Sequence, residues 1–169
     1  DLHLDSPFAC LSPEKSEQRR QELRDTFGRL MTLVREEAVD LLLIAGDLFD
    51  GRFVSPATEE LFCELASGAD IPIVISPGNH DCYIEGGIYS RLSATLGDKA
   101  VIFSSNELQT FDLDALRVRV FGYAFTAPAL TVSPLSEAEP PAKEGWTHLL
   151  CAHAELSVPM SRYCPLTVG

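Results

Sequence analysis

The residues able to do chemistry fall in four short clusters: Asp1-Leu2-His3, Gly46-Asp47-Leu48-Phe49-Asp50, Gly78-Asn79-His80-Asp81 and an isolated His153. Carboxylate and amide oxygens with imidazole nitrogens form a mixed donor set for divalent cations, and an imidazole beside a carboxylate is a common proton-transfer pair. Each cluster taken singly has a plainer reading. Gly46-Asp47 alone fits a turn whose carboxylate caps local amides, and His153 alone fits a core histidine bonded to backbone. What favours chemistry is where the clusters fall in the chain.

Three of the four follow an apolar run. Residues 41–45, LLLIA, show no polar alternation and read as a strand covered on both faces, as in a parallel sheet between layers. Gly46 then lets the backbone turn and delivers Asp47 just past the carboxyl end, where open α/β sheets place their ligands. Residues 71–76 repeat the pattern and end in Pro77-Gly78-Asn79, and residues 147–152 end at His153. A helix over residues 17–38 is predicted from the spacing of Leu23, Phe27, Leu30, Met31 and Val34, with Ser6-Pro7 and Ser12-Pro13 as turns before it. Ser55-Pro56 signals the start of a second helix running to residue 67, and the strand, helix, strand unit has the length of a right-handed parallel crossover. Further on, the pattern gives a short helix over 88–96, a strand over 100–103, a hairpin turning at Asp112-Leu113-Asp114-Ala115, and a proline-rich surface loop over 127–144.

Composition sets bounds. A chain of 169 residues with 46% hydrophobic content can bury a sizeable core as one domain, residues 1–169. No apolar run approaches the ~20 residues that span a bilayer. The five cysteines are odd in number and lack zinc-site spacing, so neither a disulfide framework nor a structural zinc is indicated, and a reducing, cytoplasmic setting is expected. Cys82 and Cys151 lie near the clusters and read as bystander thiols rather than nucleophiles. A formal charge of −12 argues against a broad face for nucleic-acid phosphates.

In this order, at successive strand ends, the motifs D-x-H, G-D-x-x-D, G-N-H-D and His resemble the calcineurin-like metallophosphoesterase family across residues 1–153. The opening DLHLDSPF and the GDLFD motif are most similar to its DNA-repair nuclease branch, the SbcD-like exonucleases. The resemblance implies an α/β fold of layered, mostly parallel sheets flanked by helices, two divalent metal ions and phosphodiester hydrolysis. Two ions about 3.5–4 Å apart need an anionic ligand between them, and Asp47 is the candidate bridge. Asp1 and His3 would complete one ion's ligands, and Asn79 and His153 the other's. A neutral Asn leaves net positive charge for a phosphate; the mixed N/O donors suit Mn²⁺ first, with Fe²⁺ or Zn²⁺ as alternatives. Ions so held activate a water for in-line attack on phosphorus and stabilise the non-bridging oxygens. By the same resemblance His80 is catalytic rather than a ligand, orienting the phosphate or protonating the leaving alkoxide, with Asp81 as its orienter. Asp50 is expected to support the ligands from behind. His148, at the wrong end of its strand, reads as structural, Asp5 as a turn residue and Arg52 as a solvated side chain.

The family pattern departs from this sequence at one point: a G-H-x-H motif that adds a His to each ion does not follow His153. The expectation is therefore a domain truncated at both ends, with a first strand before Asp1, and the G-H-x-H segment and any capping domain beyond Gly169. DNA, an SMC-like ATPase subunit and a second copy of the chain are the partners implied. Three functions follow from the residues and the resemblance. The first is a DNA exonuclease of a double-strand-break repair complex. The second is a phosphoesterase on a small nucleotide or lipid-linked phosphate, which suits the acidity better. The third is a non-catalytic scaffold of the same fold, disfavoured because none of the candidate ligands is lost. The 169-residue chain on its own is expected to hydrolyse bis-p-nitrophenyl phosphate with Mn²⁺ weakly or not at all; robust turnover would refute the need for further ligands.

Overall fold

The computed structural model describes residues 1–51, 53–135, 140–158 and 160–166. Both long helices begin at a Ser-Pro pair. Ser12 and Ser55 hold extended backbone and accept from Lys15 N and Thr58 N, and the proline after each occupies the first helical position. Helix α1 therefore spans Pro13–Glu36, four residues upstream of the expected start, because Ser12-Pro13 is a cap and not a separate turn. Strand β1 (Leu42–Ala45), helix α2 (Pro56–Ser67), strand β2 (Ile73–Ser76), helix α3 (Ile88–Leu96) and strand β3 (Ala100–Ile102) follow. Then come β4 (Gln109–Leu113), β5 (Val118–Gly122) and β6 (Thr147–Cys151).

The strands form two three-stranded sheets. In the first, β1, β2 and β3 are parallel in that order; in the second, β5 pairs antiparallel with β4 and parallel with β6. Side chains alternate across β2. Ile73 and Ile75 join Phe27, Met31, Phe62 and Leu92 under the helices, whereas Val74 joins Phe103, Val120 and Cys151 between the sheets. That is why the run has no polar alternation: both faces are buried. The fold is the expected layered α/β arrangement, with one refinement. Among the described residues the helices cover one face of the first sheet, and the second sheet covers the other.

The hairpin turn lies later than expected. Asp112 stays in the ladder opposite Arg119, held by a two-pronged pair at 2.7 and 2.9 Å and by Lys143 at 2.8 Å. Those cations keep the Asp112 carboxyl well below the ordinary range. The chain turns instead through a 3₁₀ turn at Asp114–Leu116 and Arg117 in the left-handed region at φ 53°. Residues 127–144 carry no helix or strand, as expected for a loop, with 136–139 outside the described residues, as is Arg52. Beyond β6 the chain folds back through isolated bridges between Leu130 and Tyr163 and between Glu155 and Pro165.

Register places the candidate residues on one rim. Ala45 pairs with Ser76, so Gly46-Asp47 and Pro77-Gly78-Asn79 leave from adjacent strand ends. Strand β6 packs across β1, with Cys151 Sγ 3.5 Å from the Ile44 carbonyl, so His153 emerges at the same edge. The opening segment lies parallel to residues 47–50: Leu2 N and His3 N donate to Asp47 O, and Leu4 N donates to Leu48 O.

Asp5 does more than turn the chain. Its carboxylate accepts from Ser55 N at 2.7 Å and Thr58 Oγ1 at 2.8 Å, adding a second cap to α2, and sits 3.3 Å from Arg24 Nη1. Both side chains of that ion pair are close to nine-tenths buried or more. Removing the acceptor leaves buried donors and a guanidinium short of a partner, so Asp5→Ala should cost ~2–3 kcal/mol and lower Tm by about 5–10 °C in calorimetry. Arg19→Ala, which breaks an exposed helix pair with Glu22, should shift Tm by less than about 2 °C.

Candidate metal centre

Asp47 is the middle of the site. It is 4% exposed and sits at φ 48° directly after Gly46 at φ 87°. Its Oδ1 accepts from His80 N at 3.1 Å. Its Oδ2 lies between two imidazoles, 3.7 Å from His3 Nε2 and 3.5 Å from His153 Nε2. His3 also holds left-handed backbone, at φ 49°. Non-glycine residues at such angles cost of order 1 kcal/mol each and tend to persist where function requires them.

Two neighbouring glycines leave the room. A Cβ on Gly46 would overlap the His153 imidazole, and a Cβ on Gly78 would overlap the Asp47 carboxylate. Gly46 is thus required twice, for its backbone angle and for the ring above it.

Each imidazole has one nitrogen committed. His3 Nδ1 and His80 Nδ1 each lie 2.8 Å from Asp50 Oδ1, while Ser6 Oγ donates to Asp50 Oδ2 at 2.8 Å. His153 Nδ1 lies 3.3 Å from the Ala45 carbonyl. A proton on His3 Nδ1 satisfies Asp50 and leaves Nε2 with its lone pair, which is how carboxylates orient metal-binding histidines, whereas His153 has an acceptor beside each ring nitrogen, the Ala45 carbonyl and Asn79 Oδ1. Burial alone would raise the Asp50 carboxyl; the Ser6 hydroxyl, then His3 and His80, outweigh it and hold it below its ordinary value.

The distances assemble two donor groups sharing Asp47: His3, Asp47 and His80, and Asp1, Asp47 and His153, with one ligand atom from each residue within 4.8 Å of the others in its group. Asn79 Oδ1 adds to the second, 3.0 Å from His153 Nε2. Asp1, His3, Asp47, Asn79, His80 and His153 thus stand together at one rim of the sheets, and a carboxylate shared between two clusters of N and O donors is a set that fits a pair of divalent ions. The partition differs from the expected one. Asp1 Oδ1 is 3.8 Å from His153 Nδ1, so Asp1 groups with His153 and not with His3.

Asp81 is the residue the structure places elsewhere. Instead of meeting His80, its buried carboxylate accepts from Phe49 N at 3.0 Å, Gly78 N at 2.8 Å and the Tyr89 hydroxyl. It ties the two motif loops to α3, and burial and the Asp81 charge push the Tyr89 hydroxyl up, keeping it a donor. Asp50 takes the place beside His80 that the sequence suggests for Asp81. His148 lies at the opposite end of β6 from His153, exposed and accepting from Lys143 N. Burial raises the Cys151 thiol to about 11, so it is no nucleophile at neutral pH. Sequence reasoning misses Tyr123 and Phe125. The Tyr123 hydroxyl donates to His153 O at 2.8 Å, and the Phe125 ring meets the His153 ring edge-on at 5.7 Å. Nothing in the string YAF announces that contact.

Two outcomes test this arrangement. Gly46→Ala should fold poorly or displace His153, seen as loss of the Co²⁺ absorption bands of a bound centre together with a lower Tm. Asp50→Asn should destabilise the metal-free protein by ~1–2 kcal/mol near pH 7. Because the Asp50 carboxyl is depressed on folding, its contribution is present above the unfolded value near 3.8 and vanishes as pH falls through the folded one. The Tm gap between wild type and variant should therefore close below about pH 4.

The sequence matches the family described as calcineurin-like phosphoesterase over residues 1–166. It is 38% identical over 98 residues to the DNA double-strand break repair protein Mre11 of Methanopyrus kandleri, covering 55% of this chain and 20% of that protein. It is 37% identical over 67 residues to a subunit of the nuclease SbcCD of Bacillus subtilis, covering 37% of this chain and 17% of that protein. The uncharacterized metallophosphoesterase YhaO of Bacillus subtilis is 31% identical over 183 residues, 99% of this chain and 42% of its own length. The chain therefore spans less than half the length of these relatives. With a family match covering nearly every residue and a donor set built around Asp47, this chain belongs to the calcineurin-like phosphoesterase family.

Proposed function

We propose that the protein hydrolyses phosphodiesters with two divalent ions, Mn²⁺ first among them, and that its substrate is DNA. The observation that carries this reading is Asp47 Oδ2 lying between His3 Nε2 and His153 Nε2, at 3.7 and 3.5 Å. Asp1, His3, Asp47, Asn79 and His153 would hold the ions. Bound there, the ions would supply Lewis-acid activation of water and neutralise phosphate charge.

The chain's own residues do the rest. The glycines at 46 and 78 let Asp47 and His153 close on one another. Asp50 fixes the His80 ring through Nδ1; with a second proton on Nε2, the imidazolium would hydrogen-bond a phosphate oxygen or give that proton to the leaving alkoxide, returning to the neutral ring. His80 is 48% exposed at its side chain, open enough to meet a substrate. Asp81 holds the loop beneath it.

The DNA assignment leans on the relatives named for Mre11 and for the SbcCD nuclease. In the branch this chain resembles, such nucleases work with an SMC-like ATPase, which we propose as partner, in the cytoplasm. A small phosphodiester substrate is the second reading, favoured by the charge of −12. His80→Ala should lower Mn²⁺-dependent degradation of linear duplex DNA by the whole protein about 100-fold or more, with Mn²⁺ affinity in calorimetry changed far less. Hydrolysis of bis-p-nitrophenyl phosphate without any duplex degradation would select the small-substrate reading. Neither activity would leave the scaffold.

A further inference from the structure

Phe53 stands in solvent where most phenylalanines would be buried. At 97% exposure it is the most exposed large apolar side chain among the described residues. It lies three residues after Asp50, and with Val54 it forms the wall between two hollows. One, of about 340 Å³, is lined also by Gly51, Ile84, Ile88 and Arg91, and reaches Asp81 and Cys82, the residues directly after His80. The other, of about 550 Å³, is lined also by Pro7, Arg20 and Arg24. Both are in the size range of small-ligand sites.

Charge selects the occupant. Among the described residues every arginine lining either hollow is already engaged: Arg91 with Glu59 at 2.8 Å, Arg20 with Glu17 at 2.7 Å, and Arg24 with Glu17 at 2.6 Å and Asp5 at 3.3 Å. Glu85 adds a carboxylate to the lining of the first. Among the described residues a phosphate meets no spare cation there. An uncharged planar group meets an open aromatic face with apolar walls beside it, and stacking on such a face does not depend on net charge.

We propose that Phe53 is a stacking platform for the nucleobase adjoining the scissile phosphodiester, an assignment that rests on the phosphodiesterase reading above. Gly51 and Asp81, which line the hollow, are the chain neighbours of Asp50 and His80, so the group we place there is the base of the nucleotide being cleaved or of its neighbour. The platform supplies affinity that an acidic surface denies to the backbone, without reading sequence, since every base offers a π-face.

The test compares two esters with the same leaving group, p-nitrophenyl thymidine 5′-phosphate and methyl p-nitrophenyl phosphate, in the whole protein with Mn²⁺. Phe53→Ala should cut the ratio of kcat/KM for the thymidine ester over the methyl ester about tenfold, and Phe53→Trp should keep it. A second arm needs neither metal nor turnover. With the chain's one native tryptophan removed by Trp146→Phe, the Phe53→Trp indole should be quenched saturably by thymidine. An unchanged ester ratio in Phe53→Ala, or no quenching, overturns the platform. Equal quenching by benzyl alcohol overturns it in favour of an apolar side chain from a protein partner. Hydrolysis of neither ester defeats the phosphodiesterase reading instead, and the quenching arm then decides the platform alone.

Discussion

The structure depends on keeping one carboxylate buried and unneutralised. Asp47 is 4% exposed, and among the described residues no lysine or arginine pairs with it, with Asp1 or with Asp50; their ion-pair partners are histidines. A buried anion without a fixed counter-charge is costly. The imidazoles do not remove that cost when neutral, and the contact of His3 Nδ1 with Asp50 leaves a lone pair, not a proton, on the Nε2 that faces Asp47. The site is therefore destabilised as a protein interior and favourable for cations, a trade that functional sites commonly make.

The rest of the fold serves that arrangement. Parallel pairing brings the ends of β1 and β2 side by side, so two loops of different chemistry start from adjacent residues. The second sheet then lays β6 across β1 so that His153 arrives from another layer. Each approach is tight. Gly46 passes under the His153 ring and Gly78 under the Asp47 carboxylate, with no space for a methyl group. Asp81 locks both loops from below through two backbone amides and one phenol, so the loops cannot drift apart without exposing buried donors. Rigidity here is a matter of satisfied polar groups more than of apolar packing.

Much of this is legible in the sequence, for physical reasons. Apolar runs ending at a ligand residue mark the strand ends, most plainly at β2, which is buried on both faces and carries no charged residue until it emerges at Pro77-Gly78-Asn79. The Ser-Pro pair at 55–56 marks α2; the same signal at 12–13 reads as a turn because the residues after it are polar, although a solvated first turn is compatible with a helix. The hairpin turn falls beyond Asp112, whose salt links to Arg119 and Lys143 keep it in the ladder, and one of those partners comes from a distant loop. Asp50 and Asp81 illustrate the limit best. Both are carboxylates within the motifs, and adjacency favours Asp81 as partner of His80. A side chain one residue along a turning loop points elsewhere, so the contact goes to Asp50, far away in sequence. Tyr123 and Phe125, which hold His153, lie in a segment with no motif at all.

Acidity, which counts against nucleic-acid binding, takes a different meaning beside these contacts. Several of the chain's cations are paired with its own carboxylates, as with Arg24, Arg91 and Arg119. Affinity for a polyanion through those arginines would need the pairs broken, each at a cost that phosphate contacts merely return. Two ions at the Asp47 centre would supply local positive charge without that exchange, and only where cleavage occurs. On that reading phosphate would be accepted at that one place and not along the acidic remainder of the surface. Binding would then be set by the metal pair and by groups indifferent to charge, such as an exposed aromatic ring, and would respond less to added salt than a basic groove does.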